Sequence, residues 1–103
     1  MARPYSEEFL LDLKNFDPKR LGVRLAKLCV KSNLPAQYVA EVFEVSRMTI
    51  HSWFRGKAIR DKNCTKIENF IVLVKEGLHD GQLPVLTLID AKKYLELNIN
   101  NKI

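Results

Sequence analysis

Hydrophobic positions recur along this chain every three or four residues, which is the spacing of amphipathic helices. The first such segment covers residues 6–16, where Ser6 is a suitable N-cap and acidic residues follow in the first turn. Its apolar side would hold Phe9, Leu10 and Leu13. The pattern predicts a short helix at the N-terminus.

A second helix is predicted after Asp17 and Pro18, with Asp17 as N-cap and Pro18 at the first helical position. Its apolar face would comprise Leu21, Leu25, Leu28 and Cys29. A separate basic stripe runs along the same helix and comprises Arg20, Arg24, Lys27 and Lys31. This stripe could contact phosphates, although a solvated helix face is the favoured interpretation.

Two short helices with a narrow break between them come next. The segment 36–43 offers Val39, Ala40 and Phe43 to a core, and residues 44–46 form the break. Ser46 is a good N-cap for a helix over 47–55, and Gly56 is a natural residue to end it.

The last third of the chain predicts two more helices. Thr65 and Glu68 have the spacing of a capping box, opening a helix that Gly77 would end. Its core face would be Ile67, Phe70, Ile71 and Val74. After a turn at 79–84, Thr87 with Asp90 resembles another N-cap. The face of this helix would be Leu88, Ala91, Leu95 and Ile99. Residues 84–89 could instead form a strand, but a helix is preferred.

These segments predict an all-α protein, a compact bundle of five or six helices in a single domain over residues 1–103. The composition, 47% hydrophobic and 28% charged, is sufficient for a core. No signal peptide or membrane-spanning run is evident, and the two cysteines form no CxxC pair. We therefore expect a reduced, cytoplasmic protein.

The positive charge is concentrated in the middle of the chain. Residues 18–63 hold ten basic and three acidic residues, whereas residues 1–17 hold two basic and four acidic ones. In residues 64–103, five basic and five acidic residues cancel. A localised positive excess favours a polyanionic partner.

The segment "LPAQYVAEVFEVSRMTIHSWFRGK" resembles the Cro/CI-type (XRE-like) helix-turn-helix of phage repressors and bacterial regulators. The resemblance lies in the turn before Ala36 and in the matching residues of both helices. These are Val39–Ala40, Val45–Ser46–Arg47, Thr49–Ile50, Trp53 and Arg55–Gly56–Lys57. It implies a lambda repressor-like fold over residues 18–76. Residues 78–103 lie outside the resemblance, and we expect them to form an extension for dimerisation or for covering the core. The resemblance also implies a phage or mobile-element regulator, in a bacterial or phage-infected cell, that binds double-stranded DNA as a homodimer.

Helical geometry, independently of the resemblance, divides the second helix of the motif into a polar side and an apolar side. At 100° per residue, one arc of about 140° holds Arg47, Met48, His51, Ser52 and Arg55. Ile50 and Trp53 point the opposite way, and Val45 is expected to join them in the core. Trp53 is therefore expected to pack rather than to stack on bases. The polar arc is the side that would enter a major groove.

The resemblance assigns base reading to Arg47, Met48 and Ser52, and phosphate contact to Arg55, Lys57 and Lys62. Arg47 can donate two hydrogen bonds to guanine, and Met48 can contact a thymine methyl. His51 could contact a base or phosphate, or be an ordinary exposed histidine. Ser46 and Thr49 could cap the helix or touch phosphate, with capping favoured for Ser46.

Three residues depart from the family pattern. Glu44 replaces the glycine common in the turn. Ala36 stands where a glutamine often supports DNA contacts, and Gln37 comes one position late, so that role is not assigned. Phe54 replaces a common glutamate beside the polar arc, and we expect the C-terminal segment or a second subunit to cover it.

Other functions fit less well. The motif "IHSWFR" is faintly similar to a homeodomain recognition helix, but the asparagine expected after Trp-Phe is missing. The main alternative is a protein-interaction module, such as an antitoxin or anti-repressor, that uses the C-terminal apolar segment. No catalytic motif or zinc spacing is present among Cys29, Cys64, His51 and His79, so we expect neither an enzyme nor a metal, cofactor or small-molecule ligand.

Overall fold

The computed structural model describes residues 4–100 and 102–103, and all regular secondary structure in these residues is helical. There are six helices, which confirms the predicted all-α bundle. They are α1 (Glu7–Leu13), α2 (Leu21–Ser32), α3 (Ala36–Phe43), α4 (Arg47–Phe54), α5 (Asp61–His79) and α6 (Leu88–Asn98).

Three helices begin with the hydroxyl caps that the sequence predicts. The Ser6 side chain accepts a hydrogen bond from the Phe9 backbone N–H at 3.1 Å. Ser46 accepts from Thr49, also at 3.1 Å. Thr87 Oγ1 accepts from the Asp90 N–H at 3.1 Å. Each cap satisfies one of the backbone donors that a helix start leaves without an intrahelical partner.

The predicted start of α2 at Asp17 and Pro18 is wrong. The Asp17 carboxylate accepts from the backbone N–H of Lys19 at 2.9 Å, and the Asp17 carbonyl accepts from Arg20 N–H at 3.2 Å. These bonds close a turn over 17–20. The helix therefore begins only at Leu21, with Arg20 as its N-cap.

Both predicted ends of α5 are also wrong. The helix starts one turn before Thr65, because the Arg60 carbonyl accepts the N–H groups of Asn63 and Cys64. Gly77 does not end it but lies buried inside it. A Cβ at Gly77 would stand 2.3 Å from the hydroxyl oxygen of Tyr94, so this glycine leaves room for the Tyr94 side chain of α6.

The C-terminal segment is joined to the same core as the rest of the bundle. Residues 84–87 are neither strand nor helix. Val85 N–H donates to the Ser32 carbonyl at 3.2 Å, and the Asn33 amide donates to the Val85 carbonyl at 3.0 Å. α6 then packs against α3. These bonds fix the segment to the C-terminal end of α2.

α2 is the central helix of the bundle and contacts α1, α4 and α5. It lies close to α4 at Gly22, where an added Cβ would stand 1.9 Å from the Trp53 carbonyl oxygen. Most of the predicted core faces are buried. Leu21 is only half-buried, and Leu88, 47% exposed, is outside the core. No helix in the described part of the chain is long and apolar enough to cross a membrane.

Candidate nucleic-acid interface

The turn between α3 and α4 is short because Glu44 adopts a left-handed backbone conformation, with φ of 56°. The N–H of Glu44 donates to the Glu41 carbonyl at 3.1 Å, and the N–H of Val45 donates to the Ala40 carbonyl at 3.0 Å. A non-glycine residue in this conformation costs about 1–2 kcal/mol. The turn thus uses the left-handed conformation that glycine adopts easily, and Glu44 adopts it with a loss of stability.

The start of α4 is held by two side chains. Ser46 caps the helix, and its hydroxyl also lies 3.0 Å from the Thr49 hydroxyl. The capping role predicted for Ser46 is therefore confirmed. Thr49 is half-buried with its hydroxyl already hydrogen-bonded, and its contact with phosphate stays a prediction.

The inner side of α4 is apolar and buried, as predicted. Ile50 is fully buried, and Trp53 is 4% exposed with its ring edge-on to Phe43, at a centroid distance of 5.8 Å. Val45 is half-buried against the same core. The prediction that Trp53 packs rather than stacks on a ligand agrees with this burial.

The outer side of α4 carries the five residues of the predicted polar arc. Arg47 and Arg55 are exposed, and Met48 is 80% exposed. His51 and Ser52 are half-buried between them. An α-helix with its side chains is about 10–12 Å in diameter, and a major groove about 12 Å wide admits it. The exposed arc is the side of α4 that is available to such a groove.

Phe54, which lies beside this arc, is fully buried within the single chain. Its aromatic neighbours are Tyr5 at 6.3 Å and Phe9 at 6.1 Å between ring centroids. The expectation that the C-terminal segment or a second subunit covers Phe54 is therefore wrong. The N-terminal segment covers it, because α1 places its own aromatic side along this edge of α4.

His51 belongs partly to this aromatic cluster. Its ring lies edge-on to Phe54 at 5.9 Å and to Phe9 at 6.2 Å. Burial, followed by the positive charges of Arg47 and Arg55, lowers the pKa of His51 below its ordinary value of 6.5. The ring is therefore neutral at pH 7, when it can donate one hydrogen bond and accept another.

A small cleft of about 150 Å³ adjoins the arc on the side of the N-terminal segment. Arg47 and His51 line it from α4, Phe9 lines it from α1, and Gln37 lines it from the first turn of α3. Gln37 is exposed, whereas Ala36 is buried. Sequence reasoning assigned Gln37 no role because of its register. Its place beside Arg47 makes it a candidate ligand-binding residue.

Further cations lie after the C-terminal end of α4. Gly56, with φ of 92°, ends the helix as predicted, and the exposed Lys57 follows it. The Arg20 side chain comes close to this turn, since a Cβ on Gly56 would lie 3.3 Å from Arg20 Cγ. Lys62, which precedes the helix start predicted at Thr65, is instead exposed in the first turn of α5.

Two kinds of observation remain. Among the described residues, no group of three or more histidine, cysteine or acidic side chains could hold a metal ion. Comparisons of the chain with protein families, with curated proteins and with solved structures found no match. The likeness to Cro/CI-type proteins therefore remains a prediction from the sequence.

Proposed function

We propose that the protein is a sequence-specific double-stranded DNA-binding regulator of transcription that reads the major groove with α4. The division of α4 into two sides carries this proposal. Its inner side, with Ile50 and Trp53, is buried, while its outer side presents Arg47 and Met48 to solvent. This is the arrangement that a recognition helix requires, since one side must hold the helix while the other reads base edges.

The exposed residues of the arc have the chemistry for base reading. Arg47, at the first position of α4, suits guanine, whose O6 and N7 accept two hydrogen bonds from one guanidinium. Met48 offers an apolar contact for a thymine methyl group. Ser52 and the neutral His51 ring can each donate or accept one hydrogen bond. His51 has the narrowest reach, because Phe9 and Phe54 hold its ring.

The flanking cations supply contacts to the phosphate backbone. Arg55 and Lys57 lie at the end of α4, and Lys62 follows in α5. On the other flank, Gln37 and the first turn of α3 share the cleft with Arg47. Backbone N–H groups at a helix start favour an anion, so a phosphate at Gln37 and the first turn of α3 is part of this proposal. Thr49 is proposed as a further phosphate contact.

A second copy of the chain completes the proposed DNA-binding unit. Leu86 and Leu97 are exposed and line one groove of about 370 Å³ along α6, together with Val85 and Tyr94. A two-fold dimer through this groove would present two α4 helices to two half-sites of a palindrome. The proposal includes a bacterial or phage-infected cell as the setting, and neither a cofactor nor an enzymatic activity.

Selection of bound duplexes from a random-sequence pool, using the full chain, tests this proposal. We expect an enriched palindromic consensus, and an affinity for it that falls steeply with salt as counterions return to the phosphates. The matched control is Arg47→Ala with Arg55→Ala, which should enrich nothing. Failure of the wild-type protein to enrich any duplex over background would refute the proposal.

The exposed apolar residues of the C-terminal segment favour a second candidate function, a protein-interaction module. Leu86 is 68% exposed, Ile89 69% and Leu97 80%, which is unusual for large apolar side chains of one short segment. In this case the groove along α6 would take another protein rather than a second copy. Sedimentation of the protein alone separates the two, since only the DNA-binding proposal expects a dimer that Leu86→Glu and Leu97→Glu dissociate.

A further inference from the structure

A second basic surface lies between α2 and α5. Four basic side chains surround an open groove of about 260 Å³, three from α2 and one from α5. They are Arg24, Lys27, Lys31 and Lys75. All four are exposed, and no carboxylate is among the described residues that line the groove.

This groove faces away from α4. Gly22 marks the side of α2 that touches α4, because it adjoins the Trp53 carbonyl. At 100° per residue, positions 24, 27 and 31 lie about 140–180° around α2 from Gly22. A duplex held by the outer arc of α4 would therefore not reach this surface by a local adjustment of side chains.

The floor of the groove is apolar. Leu28 of α2 and Ile71 of α5 form it, and each keeps only a small exposed fraction, 8% and 4%. Phosphate groups can pair with the basic rim, but a nucleic-acid backbone has no large apolar side chain that would cover such a floor. An acidic peptide with one large apolar side chain fits both features, since its carboxylates can pair with the rim while the apolar side chain covers the floor.

We propose that the groove between α2 and α5 binds an acidic segment of a partner protein, anchored by one apolar side chain between Leu28 and Ile71. Neither the binding nor its recognition chemistry depends on α4, so the proposal stands apart from the DNA-binding proposal. If both hold, the protein connects a DNA site on one face to a partner protein on the opposite face.

Selection from a random peptide library displayed on phage, against the immobilised full-length protein, tests the proposal. The expected consensus has acidic residues on both sides of a leucine, isoleucine or phenylalanine. Synthetic peptides of that consensus are then titrated into the isotope-labelled protein. The largest amide shifts are expected at Lys27, Leu28, Lys31 and Lys75. Replacing the apolar residue of the peptide by serine should weaken binding about tenfold or more.

Two charge-matched variants sharpen the result. Lys27→Glu with Lys31→Glu should weaken binding of the selected peptide at least about tenfold, because the new carboxylates repel the acidic residues of the peptide. Lys66→Glu with Lys92→Glu makes the same change of charge at exposed positions that line neither this groove nor the groove along α6, and it should leave the affinity unchanged. Thermal unfolding of each variant shows whether the fold is intact before binding is measured.

Several results would overturn the proposal. They are a library without an acidic consensus, peptide shifts that map to the arc of α4, and equal binding of the leucine and serine peptides. A fourth is a random duplex that shifts the amides of the groove while the peptides do not, which would make the groove a nucleic-acid surface.

Discussion

The rings of Phe9 in α1 and Phe54 in α4 lie 6.1 Å apart between centroids, at an angle of 46°. This contact fastens the N-terminal helix along the edge of the proposed recognition helix. It also brings Phe9 within reach of His51, whose ring belongs to the outer arc. The N-terminal segment therefore controls the position of a residue that we propose contacts DNA.

Phe9→Ala should lower the free energy of unfolding by about 1–3 kcal/mol, below the 3–5 kcal/mol typical of a buried phenylalanine, because Phe9 is only half-buried. Urea unfolding followed by tryptophan fluorescence measures this change. Leu11→Ala, on the exposed side of the same helix, is the matched control and should change stability by less than about 0.5 kcal/mol. Equal effects of the two substitutions would contradict the docking of α1 by its aromatic side.

Gly22→Ala tests the close approach between α2 and the proposed recognition helix. Alanine normally stabilises a helix interior by about 1 kcal/mol relative to glycine. Here the new methyl group would meet the Trp53 carbonyl at 1.9 Å, so we expect a net loss of about 1–3 kcal/mol from overpacking. Thermal unfolding measures the change, and a gain in stability would show that the two helices are farther apart.

His51 should make stability depend on pH. The folded protein holds the pKa of His51 below 6.5, the ordinary value that we take for the unfolded chain. Between the folded and the unfolded pKa, the unfolded chain therefore binds more protons than the folded chain. The free energy of unfolding should therefore fall as the pH drops through this range, and His51 should add no slope above it. Denaturant unfolding of the wild type and of His51→Gln at several pH values isolates the contribution. An identical pH dependence of the two proteins would contradict it.

The two cysteines should differ sharply in reactivity. Cys29 is fully buried in α2, and burial raises the pKa of its thiol. Cys64 is half-buried near the start of α5. A thiol reagent should thus modify Cys64 in the native protein and Cys29 only after denaturation. Mass spectrometry after brief labelling, with Cys64→Ser as the control, checks this. Rapid native labelling of that variant would contradict the burial of Cys29.

The sequence predicted helix starts best where a single side chain caps the helix. The hydroxyl caps of Ser6, Ser46 and Thr87 lie where short-range chemistry places them. The predicted helix starts at Asp17 and Thr65 failed because other local hydrogen bonds form there, whereas the prediction for Gly77 failed because a tertiary contact decides. Gly77 reads as a helix end, yet it serves the packing of Tyr94, which is distant in the chain.

The candidate site shows the same division. Helical periodicity is a local property, and it separated Trp53 from the outer arc of α4 correctly. The partners of Phe54 and the place of Gln37 depend on how α1 and α3 dock against α4. The spacing of residues within the motif does not predict how these helices dock. Tyr5, just before α1, and Phe9, within α1, supply the ring contacts to Phe54 in this docking.

The most direct test of base reading by α4 compares Arg47→Ala with Lys57→Ala on two duplexes, the selected consensus and a scrambled version of it. Arg47→Ala should cost about 1–3 kcal/mol on the consensus alone and relax the preference at one base pair. Lys57→Ala should weaken both duplexes equally and reduce the salt dependence by about one phosphate contact. Equal losses on both duplexes for Arg47→Ala, with the consensus unchanged, would contradict the proposal that α4 reads the DNA sequence.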